Sequence, residues 1–165
     1  MEQKISLASA AAVMARVDGL VVSTGAGWSA NRLLSIDRER FREAGTTYAK
    51  ADCLHAIARE VAAGTLDFAA LSAWPDAEVL RKLTTVRGIG PWTAGVFLTL
   101  ALRRPDAWPP GDRALAVSYA ETFGLARATS YRELDGFAEA WRPHRGAAAR
   151  LLWHAYLARR KSVEE

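Results

Sequence analysis

Leu83-Thr84-Thr85-Val86-Arg87-Gly88-Ile89-Gly90-Pro91-Trp92-Thr93-Ala94 joins two stretches of helical pattern through a pair of glycines that flank one apolar residue. Upstream, Asp76 reads as the cap of a short helix that carries Val79, Leu80 and Leu83 toward a core. Downstream, Pro91 suits a first helical turn, and the run from Pro91 to Leu102 is almost wholly apolar, which predicts a helix buried on nearly every side. Glycines in the connection let the backbone come close to another molecule. The amides of the turn and of the next helix's first turn lack intrahelical partners and sit at the positive end of the helix dipole, where a phosphate fits. Gly-x-Gly taken alone is equally the pattern of an ordinary helix–helix turn.

The flanking sequence is rich in Ala, Leu and Arg, poor in β-branched runs and broken by turn residues at short intervals, so the chain is predicted all-α. Ser6 can cap a segment running to about Val17, with Leu7, Ala11, Met14 and Val17 on one stripe. Asp18–Ser29 fits a strand or a loop. A short helix near Arg38–Glu43 should end at Gly45, and a longer amphipathic one over Ala49–Ala63 should close at Gly64. Asp67 reads as the cap of another short helix. A loop containing Pro105, Pro109 and Pro110 gives way to Asp112 and a helix through Phe123. Ser130 and Glu133 form a capping-box pattern, and Pro143 opens a last helix with Leu151, Leu152 and Tyr156. Residues 1–165 carry no internal repeat or low-complexity tract and are expected to form a single domain.

At 165 residues, 50% hydrophobic and 24% charged, the chain is large enough to bury a core without disulfides or structural metal. Its single cysteine, Cys53, cannot make an internal disulfide or supply a four-cysteine cluster. His55, His144 and His154 show no ligand spacing, so no metal is expected. No membrane span or secretory signal is visible, and a cytoplasmic, nucleoid-associated protein without membrane contact is expected. Charge is uneven: residues 1–80 hold 8 Lys/Arg against 10 Asp/Glu, and residues 81–165 hold 14 against 8. A basic half of this kind points to a nucleic-acid partner, although a solvated basic helix face gives the same sum.

The string Leu-x-x-Val-x-Gly-Ile-Gly-Pro-Trp-Thr-Ala over residues 83–94 resembles the helix-hairpin-helix of the DNA glycosylase superfamily, and within it the 3-methyladenine DNA glycosylase II branch. The resemblance extends along the chain. That family places an aspartate behind a proline-containing loop, as Ala107-Trp108-Pro109-Pro110-Gly111-Asp112 does here. A later Trp-Arg-Pro-aromatic-Arg string leading into a helix is similar to Trp141-Arg142-Pro143-His144-Arg145 followed by Trp153. Glu2-Gln3-Lys4-Ile5-Ser6 is similar to the family's Gln-Gln-x-Ser segment. The family usually has a helix before that segment, so the N-terminal lobe is expected to be incomplete.

The resemblance implies two helical lobes with the active site in the cleft between them. It implies a monofunctional glycosylase of base excision repair that hydrolyses the N-glycosidic bond of alkylated purines in duplex DNA. Such a bond breaks through a sugar with oxocarbenium character, which a fixed carboxylate stabilises. Asp112 is the candidate; an Asp after Pro-Pro-Gly is also an N-cap, and the two roles are compatible. Members that also cut the backbone carry a lysine where Trp92 stands, so simple hydrolysis is implied. Four cysteines would be needed for the iron–sulfur subgroup, which one cysteine excludes.

A base flipped from the duplex is recovered in part by stacking on aromatic rings, and an alkylated cationic base adds cation–π attraction. By position the resemblance assigns Trp92, Val96 and Trp153 to the base pocket; core packing is the alternative for each tryptophan. Gly88, Ile89, Gly90 and Thr93 are assigned to the phosphate, with Arg87, Arg113, Arg142 and Arg145 near it and Lys4 where relatives plug the gap left by the flipped base. A lysine there is a poor hydrophobic plug. The carbonyls of Val86 and Gly88 are where the family can hold a monovalent cation; no other cofactor is implied. The expected partner is double-stranded DNA with a damaged base, bound by a monomer. A non-catalytic helix-hairpin-helix DNA-binding module is the competing expectation, and a helical interaction protein a remoter one.

Overall fold

The computed structural model describes residues 7–22, 27–127 and 129–161, and every regular element among them is helical. The chain divides into two units, Met1–Ala70 with Val86–Gly88, and Leu71–Thr85 with Ile89–Glu165.

The first unit holds α1 (Leu7–Val22), α2 (Ala30–Leu34), α3 (Arg38–Glu43) and α4 (Tyr48–Ala62). Its core is Val17, Val21, Leu33, Ile36, Phe41, Ala44, Ala51 and Ala58. Asp18–Val22 continues α1 rather than forming a strand or loop, because Val21 lies one turn beyond Val17 on the buried stripe. The end of α1 is secured from outside: Arg32 donates from Nη2 to the Leu20 carbonyl at 2.8 Å and from Nε to the Val21 carbonyl at 3.0 Å. A cation at that end also suits the helix dipole. Thr47 caps α4 through its side chain, and Gly45 and Gly64 take positive φ past α3 and α4 as expected. The expected cap Ser6 lies outside the described residues.

The second unit holds a 3-10 turn at Ala70–Ala73 that begins on its border, then α5 (Asp76–Thr84), α6 (Pro91–Val96), α7 (Arg113–Thr122), α8 (Tyr131–Ala138), a second 3-10 turn at Glu139–Trp141 and α9 (Arg145–Lys161). Asp67 caps the 3-10 turn, accepting from the amides of Ala69 at 2.9 Å and Ala70 at 3.3 Å. Asp76 is not a cap. Pro75 takes that place, and Asp76, first in α5, lies 3.2 Å from Nε of Arg104. The capping box of Ser130 and Glu133 is present in full. Leu115, Ala116, Leu134, Ala149 and Leu152 form the core between α7, α8 and α9, with Trp108, Tyr119, Trp141 and Trp153 packed on it.

The run from Pro91 to Leu102 departs from expectation twice. It is two-faced: Ala94, Gly95, Leu98 and Thr99 are buried, while Trp92 is 48% and Leu100 51% exposed. It is also not one regular helix, since α6 gives way after Val96 to a π turn over Phe97–Ala101, closed by the Leu102 amide on the Phe97 carbonyl at 3.1 Å. Composition marks the run as apolar. It does not show that the buried face is built from small residues so that a neighbouring backbone can lie against it.

Candidate active site

Asp112 sits at the end of the loop that follows the π turn and caps α7. Its Oδ1 accepts the Leu115 amide at 2.8 Å, and its Oδ2 accepts the indole N–H of Trp92 at 2.7 Å. The carboxylate is buried, at 7% exposure, whereas the Trp92 ring is half exposed. Both oxygens are therefore oriented by donors, at the N-terminus of α7. A fixed carboxylate of this kind can stabilise a developing cation without reorganising.

The loop before Asp112 is fixed mainly by backbone packing. A Cβ on Gly95 would lie 2.6 Å from the Trp108 carbonyl oxygen and 2.8 Å from Pro109 Cα. One on Gly146 would lie 2.4 Å from the Arg104 carbonyl oxygen, and the Gly146 amide donates to the Pro105 carbonyl at 2.8 Å. Only glycine admits these approaches. Within the same loop, Asp106 takes two side-chain hydrogen bonds from Arg145, Nε to Oδ1 and Nη2 to Oδ2, each at 2.9 Å, one from the Arg145 amide at 3.4 Å and one from Arg142 at 2.8 Å. The Arg145 bonds hold the Asp106 carboxyl below the usual carboxylate range. The Trp108 indole donates to Asp135 at 2.8 Å.

Arg145 thus does not have the outward, phosphate-facing place expected of it. Its side chain is 14% exposed and also donates to Glu139 at 2.7 Å, so Nε, Nη1 and Nη2 all bond within the fold. The basic second half is more committed than its count suggests, because Arg104, Arg127, Arg142, Arg145, Arg159 and Arg160 all pair with carboxylates. Arg87 and Arg113 are exposed. Val96 and Trp153 are both half-buried, Val96 at the end of α6 and Trp153 on the Leu115 cluster. Trp28 donates its indole N–H to Asp18 at 2.7 Å.

In the hairpin, Gly88 has φ +93° and rests on Cys53, whose Cβ and Sγ lie 2.8 and 2.9 Å from where a Cβ would stand. Burial pushes the Cys53 thiol up, which keeps it neutral. Gly90 caps α6 with φ −94°, and a Cβ there would meet nothing within 4 Å. Ile89 is buried and Thr93 exposed. Lys4 lies outside the described residues. Among those residues, no group of three His, Cys, Asp or Glu could hold a metal ion, and no helix is long and apolar enough to cross a membrane.

Gly95, Gly146, Asp106 and Asp135 stand outside the motifs that the sequence displays. A glycine inside an apolar helical run does signal close backbone approach. The two aspartates carry no local signal, since their partners lie 39 and 27 residues away.

An all-α chain in which a Gly-Ile-Gly hairpin precedes a capping aspartate anchored by a tryptophan has the framework of a helix-hairpin-helix DNA glycosylase. No family model matches the chain. It is 30% identical over 122 residues to DNA-3-methyladenine glycosylase 1 of Schizosaccharomyces pombe, covering 72% of this chain and 52% of that one. The solved 3-methyladenine DNA glycosylase of the same yeast, in complex with abasic DNA, superposes with a TM-score of 0.83 at 26% identity, over 92% of this chain and 73% of that one. A DNA-3-methyladenine glycosidase from Bacillus halodurans gives a TM-score of 0.73 at 31% identity, over 94% and 70%. The chain belongs to the 3-methyladenine branch of the helix-hairpin-helix DNA glycosylases. It spans about half the length of the curated relatives it matches, 43% and 52% of the first two.

Proposed function

We propose that the chain is a monofunctional glycosylase of base excision repair that hydrolyses the N-glycosidic bond of alkylated purines, of the 3-methyladenine type, in duplex DNA. The observation that carries this is the buried Asp112 carboxylate, aligned by Trp92 and the Leu115 amide at the N-terminus of α7. An alkylated purine bears a positive charge, so it leaves with the electron pair of the glycosidic bond as a neutral base and needs no dedicated acid. The carboxylate stabilises the sugar cation that remains, and water adds at the anomeric carbon, losing its proton to solvent or to Asp112.

The exposed face of Trp92 is suited to stack on a flipped, cationic base, with Val96 and Trp153 as further walls. The hairpin amides around Gly88–Gly90, with Arg87 and Arg113, are the proposed phosphate contacts. Carbonyl oxygens such as those of Val86 and Gly88 are the uncharged hard donors that a monovalent cation takes, and a cation there would help hold the phosphate. The proposed partner is damaged duplex DNA, bound by one copy of the chain in the nucleoid.

The test is incubation with methylated duplex DNA, with assay for released 3-methyladenine or 7-methylguanine. Release that depends on Asp112 supports the proposal. Intact, salt-sensitive binding with no release would leave a DNA-binding module in its place.

A further inference from the structure

We propose that Asp135, on α8, is a positioning residue for Asp112, a role that rests on the glycosylase function proposed above. The loop Trp108-Pro109-Pro110-Gly111 delivers Asp112 to its place, and a single atom, Oδ1 of Asp135, holds both ends of it. That oxygen accepts the Trp108 indole N–H at 2.8 Å and the Gly111 amide at 3.4 Å. Pro109 and Pro110 have no N–H, so the Gly111 amide is the only backbone donor strictly between Trp108 and Asp112. Gly111 is the residue immediately before Asp112.

The hydrogen bonds of the Pro105 carbonyl and of Asp106 hold the loop upstream of this segment, and from Trp108 to Gly111 the remaining contacts are packing contacts. Pro109 is buried against Gly95, and Trp108 meets Trp141 edge-on, with ring centroids 5.8 Å apart. Those contacts set how deep the loop lies. They are packing contacts without a directional bond, whereas the two hydrogen bonds converging on one oxygen are directional. Gly111 has φ +74°, a conformation open to glycine at little cost and equally easy for it to leave. Without the Asp135 acceptor, the Pro110–Gly111 peptide can turn, and through Gly111 the Asp112 Oδ2 moves relative to the Trp92 indole.

The experiment compares the wild type with Asp135→Ala, Asp135→Asn and Trp108→Phe. Each is assayed for single-turnover base release, for DNA affinity and by the indole N–H resonances of Trp108 and Trp92 in the free protein. Asp135→Ala should slow base release about tenfold with affinity unchanged, since a small misplacement of a reacting group is costly. It should shift the Trp92 resonance as well as that of Trp108. Asp135→Asn keeps an acceptor oxygen and should restore the Trp92 resonance and most of the rate. Trp108→Phe removes the same bond from the other side, should slow release with affinity unchanged, and covers the case in which Asp135→Ala does not fold.

A Trp92 resonance unmoved in Asp135→Ala, or equal losses in the Ala and Asn variants, would overturn the role. If the wild type releases no base, the glycosylase proposal fails by itself. The two indole resonances would then still decide whether Asp135 places Asp112.

Discussion

The indole N–H of Trp92 donates to Oδ2 of Asp112 at 2.7 Å, so the most exposed aromatic ring of the hairpin helix is tied to the most buried carboxylate of the neighbouring loop. A base stacked on that ring would lie beside the group proposed to stabilise its sugar. The same bond makes the two residues energetically dependent on one another.

Asp112→Asn should lower base release by about 10²-fold or more, the scale of losing a preorganised electrostatic group. Asn still caps a helix through its one acceptor oxygen, but its NH2 then faces the Trp92 indole N–H, so the melting temperature should fall modestly. Trp92→Phe keeps a ring but removes the donor, and should cost about fivefold in rate, in line with one net hydrogen bond. Single-turnover kinetics on methylated duplex, read beside thermal unfolding, check both.

Gly88 and Gly90 should separate under substitution. Gly88→Ala forces a side chain into positive φ and onto Cys53, and should destabilise by about 2 kcal/mol or more. Gly90→Ala meets no atom within 4 Å, so stability should hold while DNA affinity falls. Denaturant unfolding and DNA titration distinguish the two.

Arg87 and Arg145 should likewise differ in kind. Arg87→Ala should weaken DNA binding and reduce the slope of log affinity against log salt by about one. Arg145→Ala leaves Asp106 and Glu139 with Arg142 alone and should act through stability instead, with a lower melting temperature before any DNA is added. Titrations at several salt concentrations read the first, and thermal unfolding the second.

Arg127, then Ser130, holds the Glu133 carboxyl down to about 2, against 4.5 for an ordinary glutamate. A carboxyl lowered in the fold stabilises it fully above the ordinary value and gives that up as pH falls through the lowered one. Between pH 4.5 and 2 the wild type should therefore lose stability that Glu133→Gln does not have to lose. Melting temperatures across that range should converge for the two proteins.

What was legible in the sequence is what local chemistry encodes. Ser130 with Glu133, Gly45 and Gly64 each act within a few residues, and each does in the structure what its type suggests. Asp112 was visible both as a cap and as a candidate carboxylate, and it does cap α7. Its indole partner was not, because a bond between residues 92 and 112 leaves no periodic trace. Arg145 shows the same limit: a basic residue near a motif looks free until its carboxylate, 39 positions away, is folded against it. The apolar run after Pro91 looked buried all round because hydropathy counts Trp92 and Leu100 as core although both face outward.

Two of the strongest constraints on Asp112 are places where the protein has no side chain at all. At Gly95 and Gly146 even one methyl group would meet carbonyl oxygens of the Asp112 loop, at 2.6 and 2.4 Å, and the displacement would pass along the loop to the carboxylate. In a saturation library selected for repair of alkylated DNA, these two positions should therefore be nearly as intolerant as Asp112 itself. They would map as functional hot spots although neither is placed in contact with a base, a sugar or a phosphate.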